Sequence, residues 1–259
     1  MHLNPWLQDA LALVLTVVAI QALVLVNGVL QKRELLPTYI TRKIIHIFAA
    51  PIFVLCWMLY SGAPASRFFA AVVPLAFIIQ FAAIGLGWRK DEAFVKSMSR
   101  SGDPRELLGG TMHYAVVMLI VVLLFFTNGS EDTAFVPSAM IILGALAGGD
   151  GLADIIGRRY GGKSFGFGGS TKTLAGSLAM FVGSALMSLA LLAAFSPRTG
   201  VTPGVFLIPV LLLSLLATIV EALSPRGWDN YLIPLAVFVG ILLLAWLAPG
   251  LWPLPVFAL

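Results

Sequence analysis

The amino-acid sequence predicts an all-α fold, a polytopic bundle of about eight transmembrane helices. Three observations predict it. The chain of 259 residues is 59% hydrophobic and only 11% charged, whereas a soluble domain carries about 25% charged residues. A soluble fold of this length could not hide so much apolar surface. The apolar residues come in long, unalternating runs, which lipid admits as helices and which exclude a closed barrel. Lys and Arg fall almost entirely in alternate connections between those runs.

Eight runs approach the roughly 20 residues that cross hydrocarbon: 8–30, 44–60, 68–87, 110–126, 136–157, 172–195, 202–222 and 231–248. The first lacks a basic start and is long enough to span, so it reads as a helix and not as a cleaved signal peptide. The second holds Cys56, the one cysteine, which reads as a small apolar residue. The third and fourth flank a basic connection. The fifth is the least regular: its apolar part, 136–147, is short, and the helix is expected to continue through Gly148 to Gly157. The sixth follows a glycine-rich stretch, with Ser170 or Thr171 as the expected cap. The seventh closes on Glu221, and the eighth opens after Asp229 and Asn230. The connections are short, so residues 1–259 read as a single integral membrane domain.

Fourteen of the sixteen Lys and Arg residues lie in the connections after runs one, three, five and seven, leaving only Arg67 and Arg198 on the other side. The positive-inside rule then places those four connections in the cytoplasm and both termini outside. The net charge of +4 is modest, and nucleic-acid binding is not expected.

The candidate chemistry collects at the same side. In GGDGLADIIGRRYG (148–161), Asp150 and Asp154 are four residues apart and share a helix face. Ionisable groups at a membrane edge are costly and usually functional. Two carboxylates beside small residues suit Mg²⁺ carrying nucleotide phosphates, with Gly148, Gly149 and Gly151 allowing close approach of a ligand to the backbone. The bland alternative is pairing with Arg158 and Arg159. GRRYGGKS (157–164) spells a Walker A motif, but a P-loop needs a strand before it and a helix directly after it. Here an apolar helix precedes and glycines follow. Lys163 and Lys172 are still expected near phosphates, at a helix start that favours an anion. Glu221 needs a partner or an aqueous cavity. Asp229 and Asn230 read equally as site residues or as a helix cap. Arg42 and His46 are i,i+4 with Lys43 alongside, and the group reads as one cavity wall or as a basic interfacial anchor. Glu106 reads as a site carboxylate or a favourable first-turn charge.

Together, RKIIH (42–46), ELLGG (106–110), GGDGLADIIGRRYG (148–161), KTLAGSLAMF (172–181), ATIVEALS (217–224) and DNYLIP (229–234) resemble the diacylglycerol/polyprenol kinase family, which includes dolichol kinase, and most closely its phytol/farnesol kinase branch. The matches are collinear and cover the chain from about residue 42. The resemblance implies transfer of phosphate from CTP, or another nucleoside triphosphate, to a lipid alcohol. It implies nucleotide-site motifs within 148–177 and 217–234, with Asp150, Asp154, Gly157, Lys172, Gly176, Ser177, Glu221, Asp229 and Asn230 at the nucleotide. Arg158, Lys163 and Lys172 are expected to neutralise phosphate, His46 to contact phosphate or aid proton transfer, and Glu106, Glu221 or Asp229 to orient the hydroxyl. Two other readings stay open. A CTP:phosphatidate cytidylyltransferase would release pyrophosphate in place of CDP. A transporter or lipid-binding protein would place charge in mid-helix.

Overall fold

The computed structural model describes residues 4–130, 134–166, 170–225 and 227–258. Arg226, one of the fourteen basic residues above, and residues 167–169 of the glycine-rich stretch lie outside them. Among the described residues, eight helical stretches are long and apolar enough to cross a membrane.

Helix α1 (Pro5–Lys32) starts on Pro5 behind Asn4, whose side chain accepts from the Trp6 N–H at 2.9 Å. Proline suits that position because its missing N–H would be unpaired there anyway. Helix α2 (Thr38–Cys56) begins six residues before the expected run. The sequence reading followed hydropathy alone and so left Arg42 and Lys43 outside it. Both are in fact helical, and this carries them into the bundle. Helix α3 (Ser66–Gly85) follows, then a short helix that hydropathy did not predict, α4 (Glu92–Met98), capped by the Asp91 side chain. A 3-10 turn over Pro104–Leu108 leads into α5 (Gly110–Phe125).

The fifth span is built from α6 (Ser138–Gly144), a π-helical turn (Ala145–Gly149) and α7 (Asp150–Tyr160). It is the central helix: 72% of its apolar window is buried, against 17% for α1. A two-residue hairpin pairs β1 (Ser164–Phe165) with β2 (Lys172–Thr173). Helix α8 (Leu174–Thr199) follows. Its cap is Thr173, whose hydroxyl accepts from the Gly176 N–H at 3.1 Å. The expected Ser170 or Thr171 stands too early, because β2 carries the chain two residues further before it turns helical. Helices α9 (Leu207–Leu223) and α10 (Asp229–Leu247) complete the bundle. α1, α2, α3 and α5 pack with one another, as do α8, α9 and α10, and α6–α7 contacts both groups.

The face opposite the basic connections is pinned by polar contacts. Asp9, only 1% exposed, accepts from the Ser61 N–H at 2.7 Å and the Ser66 hydroxyl at 2.8 Å. Arg198 donates to the Met58 carbonyl at 2.6 Å, and Arg67 to the Leu123 carbonyl at 3.4 Å. Both therefore serve carbonyls at helix ends, where a cation is favourable. Asp9→Ala would remove the acceptor of the half-buried Ser61 N–H and the buried Ser66 hydroxyl and is expected to cost about 1–3 kcal/mol. Thermal unfolding in detergent measures this, and an unchanged midpoint would remove the clamp.

Candidate active site

The seam between α7 and α8 is made of small residues. A β-carbon built at Gly148 would lie 2.6 Å from the Gly183 carbonyl oxygen and 2.5 Å from Met187 Cβ. One at Gly149 would lie 2.2 Å from Ser184 Oγ, and one at Gly151 2.2 Å from Ile47 Cγ1 on α2. Gly148, Gly149 and Gly151 therefore admit neighbouring helices, and the expectation that they open the backbone to a ligand is corrected. In lipid no hydrophobic force drives helices together, so close approach through glycine supplies the packing. Gly148→Ala is expected to destabilise the protein by about 1–3 kcal/mol through overpacking, read as a lowered unfolding temperature.

This tight seam holds α7 where its polar face meets α2. The π turn ends at Asp150, and extra residues of this kind recur at functional sites because they re-aim the side chains that follow. Lys43 reaches Asp150 Oδ2 at 3.2 Å and Asp154 Oδ2 at 3.5 Å, so one buried ammonium bridges the two carboxylates. Arg158 Nε donates to Asp154 Oδ1 at 2.7 Å. The pairing of Asp154 with Arg158 anticipated from helical spacing is therefore present, while Arg159 lies over the Tyr160 ring. His46 Nε2 lies 3.1 Å from Asp150 Oδ2 and 3.2 Å from the Leu146 carbonyl oxygen. A carbonyl can only accept, so that nitrogen carries a proton and is not a base. Tyr114 donates to the His46 carbonyl at 2.8 Å and packs on its ring.

A second bridge faces the first. Lys172 on β2 donates to Glu221 at the end of α9 and lies 3.7 Å from Asp229 Oδ2 at the start of α10. Burial alone would lower the Lys172 pKa. The charges of Glu221, Asp150 and Asp229 outweigh it and hold the ammonium above the ordinary lysine value.

These groups line one cavity of about 790 Å³. Its charged chamber contains Arg42, Lys43, His46, Arg100, Glu106, Asp150, Asp154, Arg158, Lys172, Glu221, Asp229 and Asn230. Gly157, Gly176 and Ser177 lie along its α7–α8 wall. Gly157 also packs there, since a β-carbon on it would touch the Gly176 Cα at 3.4 Å. From the chamber the cavity continues into an apolar arm between α1, α2, α3 and α5. Lys163 does not line it and is exposed beside the hairpin, which corrects its expected place. GRRYGGKS is helical through Tyr160 and ends on β1 at Ser164, so it lacks the strand before it and the helix after it that a P-loop requires. Glu106 reaches the chamber wall, but both its oxygens are engaged. They accept from the Ser99 and Ser101 hydroxyls, each at 2.9 Å, and from the Arg100 N–H. Its visible work is to fold the loop that presents Arg100. Sequence reasoning missed Arg100 and Tyr114 as cavity residues. Arg100 had no signal beyond lying in a basic connection, and Tyr114 had only a hydroxyl near a helix start.

Four buried chamber atoms accept or donate no hydrogen bond: Glu221 Oε2, Ser177 Oγ, Asn230 Oδ1 and Asp154 Oδ2, the last facing only the Lys43 ammonium at 3.5 Å. Buried polar atoms of this kind call for an explanation. Of these, Asp154 Oδ2 lies on the α7 face it shares with Asp150, and such carboxylate oxygens fit a hard divalent cation. Among the described residues no three His, Cys, Asp or Glu side chains form a metal site by themselves. Mg²⁺ would need only one or two carboxylates here, with substrate phosphates completing its ligands.

Fold and cavity thus define an integral membrane protein with a charged chamber at one face, open to a lipid-like arm. Comparison with known proteins gives the family. The chain is 36% identical to a probable chloroplastic phytol kinase of Triticum aestivum over 242 residues, covering 92% of this chain and 78% of the relative. It is 33% identical to phytol kinase 1 of Arabidopsis thaliana over 240 residues, with 91% and 76% covered. It is 36% identical to a probable phytol kinase 1 of Oryza sativa, with 92% and 74% covered. No family model and no solved structure matches the chain. The chain belongs to the phytol kinase family and is a phosphotransferase with an alcohol acceptor.

Proposed function

We propose that the protein transfers the γ-phosphate of CTP to the hydroxyl of a membrane isoprenoid alcohol (phytol, farnesol, geranylgeraniol or a polyprenol) at the cytoplasmic interface. The observation that carries the reading is the single cavity, whose charged chamber continues into an apolar arm. A nucleotide and a lipid alcohol need those two environments side by side. Relatives named phytol kinase support the acceptor class, and the one-sided Lys and Arg support the orientation.

Phosphoryl transfer asks mainly for positioning and charge stabilisation. Arg42, Lys43, Arg158 and Lys172 are the cations that meet the phosphates, helped by the positive end of α8, beside which Gly176 and Ser177 line the cavity. Asp150 and Asp154 would hold Mg²⁺, which supplies charge neutralisation and orientation of the phosphates when bound. His46, protonated at Nε2, donates and holds Asp150 in place. As the acceptor oxygen bonds to the γ-phosphorus, the bond to the β-phosphate oxygen breaks and CDP leaves. The hydroxyl proton passes to a chamber carboxylate. Of the three weighed for this, Glu106 has both oxygens engaged, Asp229 accepts from the Asn230 N–H and faces Lys172 at 3.7 Å, and Glu221 Oε2 is buried with no hydrogen bond. Glu221 is therefore the better acceptor.

The test is purified protein in lipid with γ-labelled CTP, the other labelled triphosphates in parallel, and a panel of alcohols. Label in a lipid phosphate with CDP released is expected. Label in no lipid, or pyrophosphate release in place of CDP, would overturn the reading, the latter in favour of a cytidylyltransferase.

A further inference from the structure

We propose that the apolar arm holds the acceptor's hydrocarbon chain inside the protein, and that Ile20, Ala49, Val73 and Met118 form a floor that sets its length. This rests on the alcohol kinase reading and adds where the chain lies and what measures it. The four residues line the cavity from four different helices, α1, α2, α3 and α5. Ile20 lies twelve residues up α1 from Lys32 and Val73 twelve residues from Gly85 on α3, each about 18 Å at the helical rise. Ala49 lies eleven residues from Thr38 on α2, about 16 Å, and Met118 eight residues from Gly110 on α5, about 12 Å. Hydrocarbon is about 30 Å thick, so the arm stops near its middle. Beyond that level lie Phe53 on α2, Val122 on α5 and Trp57 in the turn directly after α2, each 0% exposed.

The lining residues that α1 and α3 contribute carry no charge, and Phe77 and Phe81 are among them. The polar exit is narrow in chemistry: His46, with Tyr114 packed on it, separates the apolar wall from Asp150. An alcohol lying in the arm presents its hydroxyl at that junction. Moving a chain from lipid into an apolar slot gains little, because lipid is already as apolar as Leu. Discrimination between chains must therefore come from shape, and a closed floor supplies it by clashing with longer acceptors.

The experiment compares kcat/KM for phytol and for farnesol in wild type, Ala49→Phe and Met118→Ala, each in bilayers of one composition. Ala49→Phe raises the floor, and the phytol-to-farnesol ratio is expected to fall about tenfold or more. Met118→Ala deepens it, and the ratio is expected to rise. If wild type phosphorylates both alcohols but neither variant shifts the ratio, the chain lies in the bilayer and the floor is overturned. Should Ala49→Phe fail to fold, the direction of the Met118→Ala shift decides. Wild type that labels no alcohol overturns the kinase reading itself, a result distinct from an unmoved ratio.

Discussion

Asp150→Asn is expected to lower kcat by at least about 10²–10³, the scale seen when a preorganised electrostatic group is removed from a site. Asp150 combines three roles. It receives the Lys43 ammonium and the His46 N–H on one oxygen, and it shares the α7 face with Asp154, where a divalent cation would be held. Its replacement also leaves Lys43, 8% exposed, with less compensation. Breaking a buried ion pair costs about 3–5 kcal/mol, and Asp154 at 3.5 Å from the same ammonium places the loss at the lower end. Structural and chemical effects can be separated. Removing both partners of a buried pair is often nearly neutral for stability, so Lys43→Met combined with Asp150→Asn is expected to recover the unfolding temperature. Phosphate transfer should not recover with it. Turnover restored in the double variant, or near wild-type turnover in Asp150→Asn alone, would reduce Asp150 to a packing role.

Much of the bundle was legible because lipid leaves the chain few options. Every backbone group must be satisfied within its own helix, so an apolar run reports a span directly, and all eight expected runs are helical. Hydropathy failed where polar residues are helical. It started the second helix at residue 44 and placed Arg42 and Lys43 in a connection, although they ride on α2 from Thr38. It also gave no hint of α4, whose seven residues sit between spans. The π turn at Ala145–Gly149 was invisible for another reason. One additional residue in a helical turn changes no composition, only the direction in which Asp150 leaves the helix.

The chamber was legible in its acids and bases because charge is rare in this chain. Asp150, Asp154, Lys172, Glu221 and Asp229 stand out against apolar neighbours and converge on one cavity. Glycines carried less information. A glycine admits a phosphate or a neighbouring helix equally well, and only packing decides, here in favour of α8 and α2 for Gly148, Gly149 and Gly151. The apolar arm left no trace either. Ala49, Val73 and Met118 are ordinary residues for a transmembrane helix, and their significance lies in facing one another.

Lys172→Met is expected to lower phosphate transfer about 10²–10³-fold, and the Lys172–Glu221 pair makes a sharper prediction about pH. Burial pulls the Lys172 pKa down, and Glu221 is the largest of the charges that raise it. The net result is a raised folded-state value. The contribution of this ammonium to stability is therefore complete below the ordinary lysine pKa and is lost only as pH climbs through the higher folded value. Across the neutral and mildly alkaline range the wild-type charge is constant. Glu221→Gln lowers turnover by removing the proton acceptor, and, independently of that loss, it removes the main raising influence on Lys172 and leaves burial in place. Lys172 then loses its proton at lower pH, and the alkaline limb of the kcat/KM profile is expected to move toward neutrality. Lys172→Arg, whose guanidinium stays charged at any working pH, should keep Glu221 paired and show no such movement. Profiles of wild type and Glu221→Gln that superimpose on the alkaline side would mean that Lys172 does not meet the phosphates. Its bond to Glu221 would then serve only to tie the hairpin to α9.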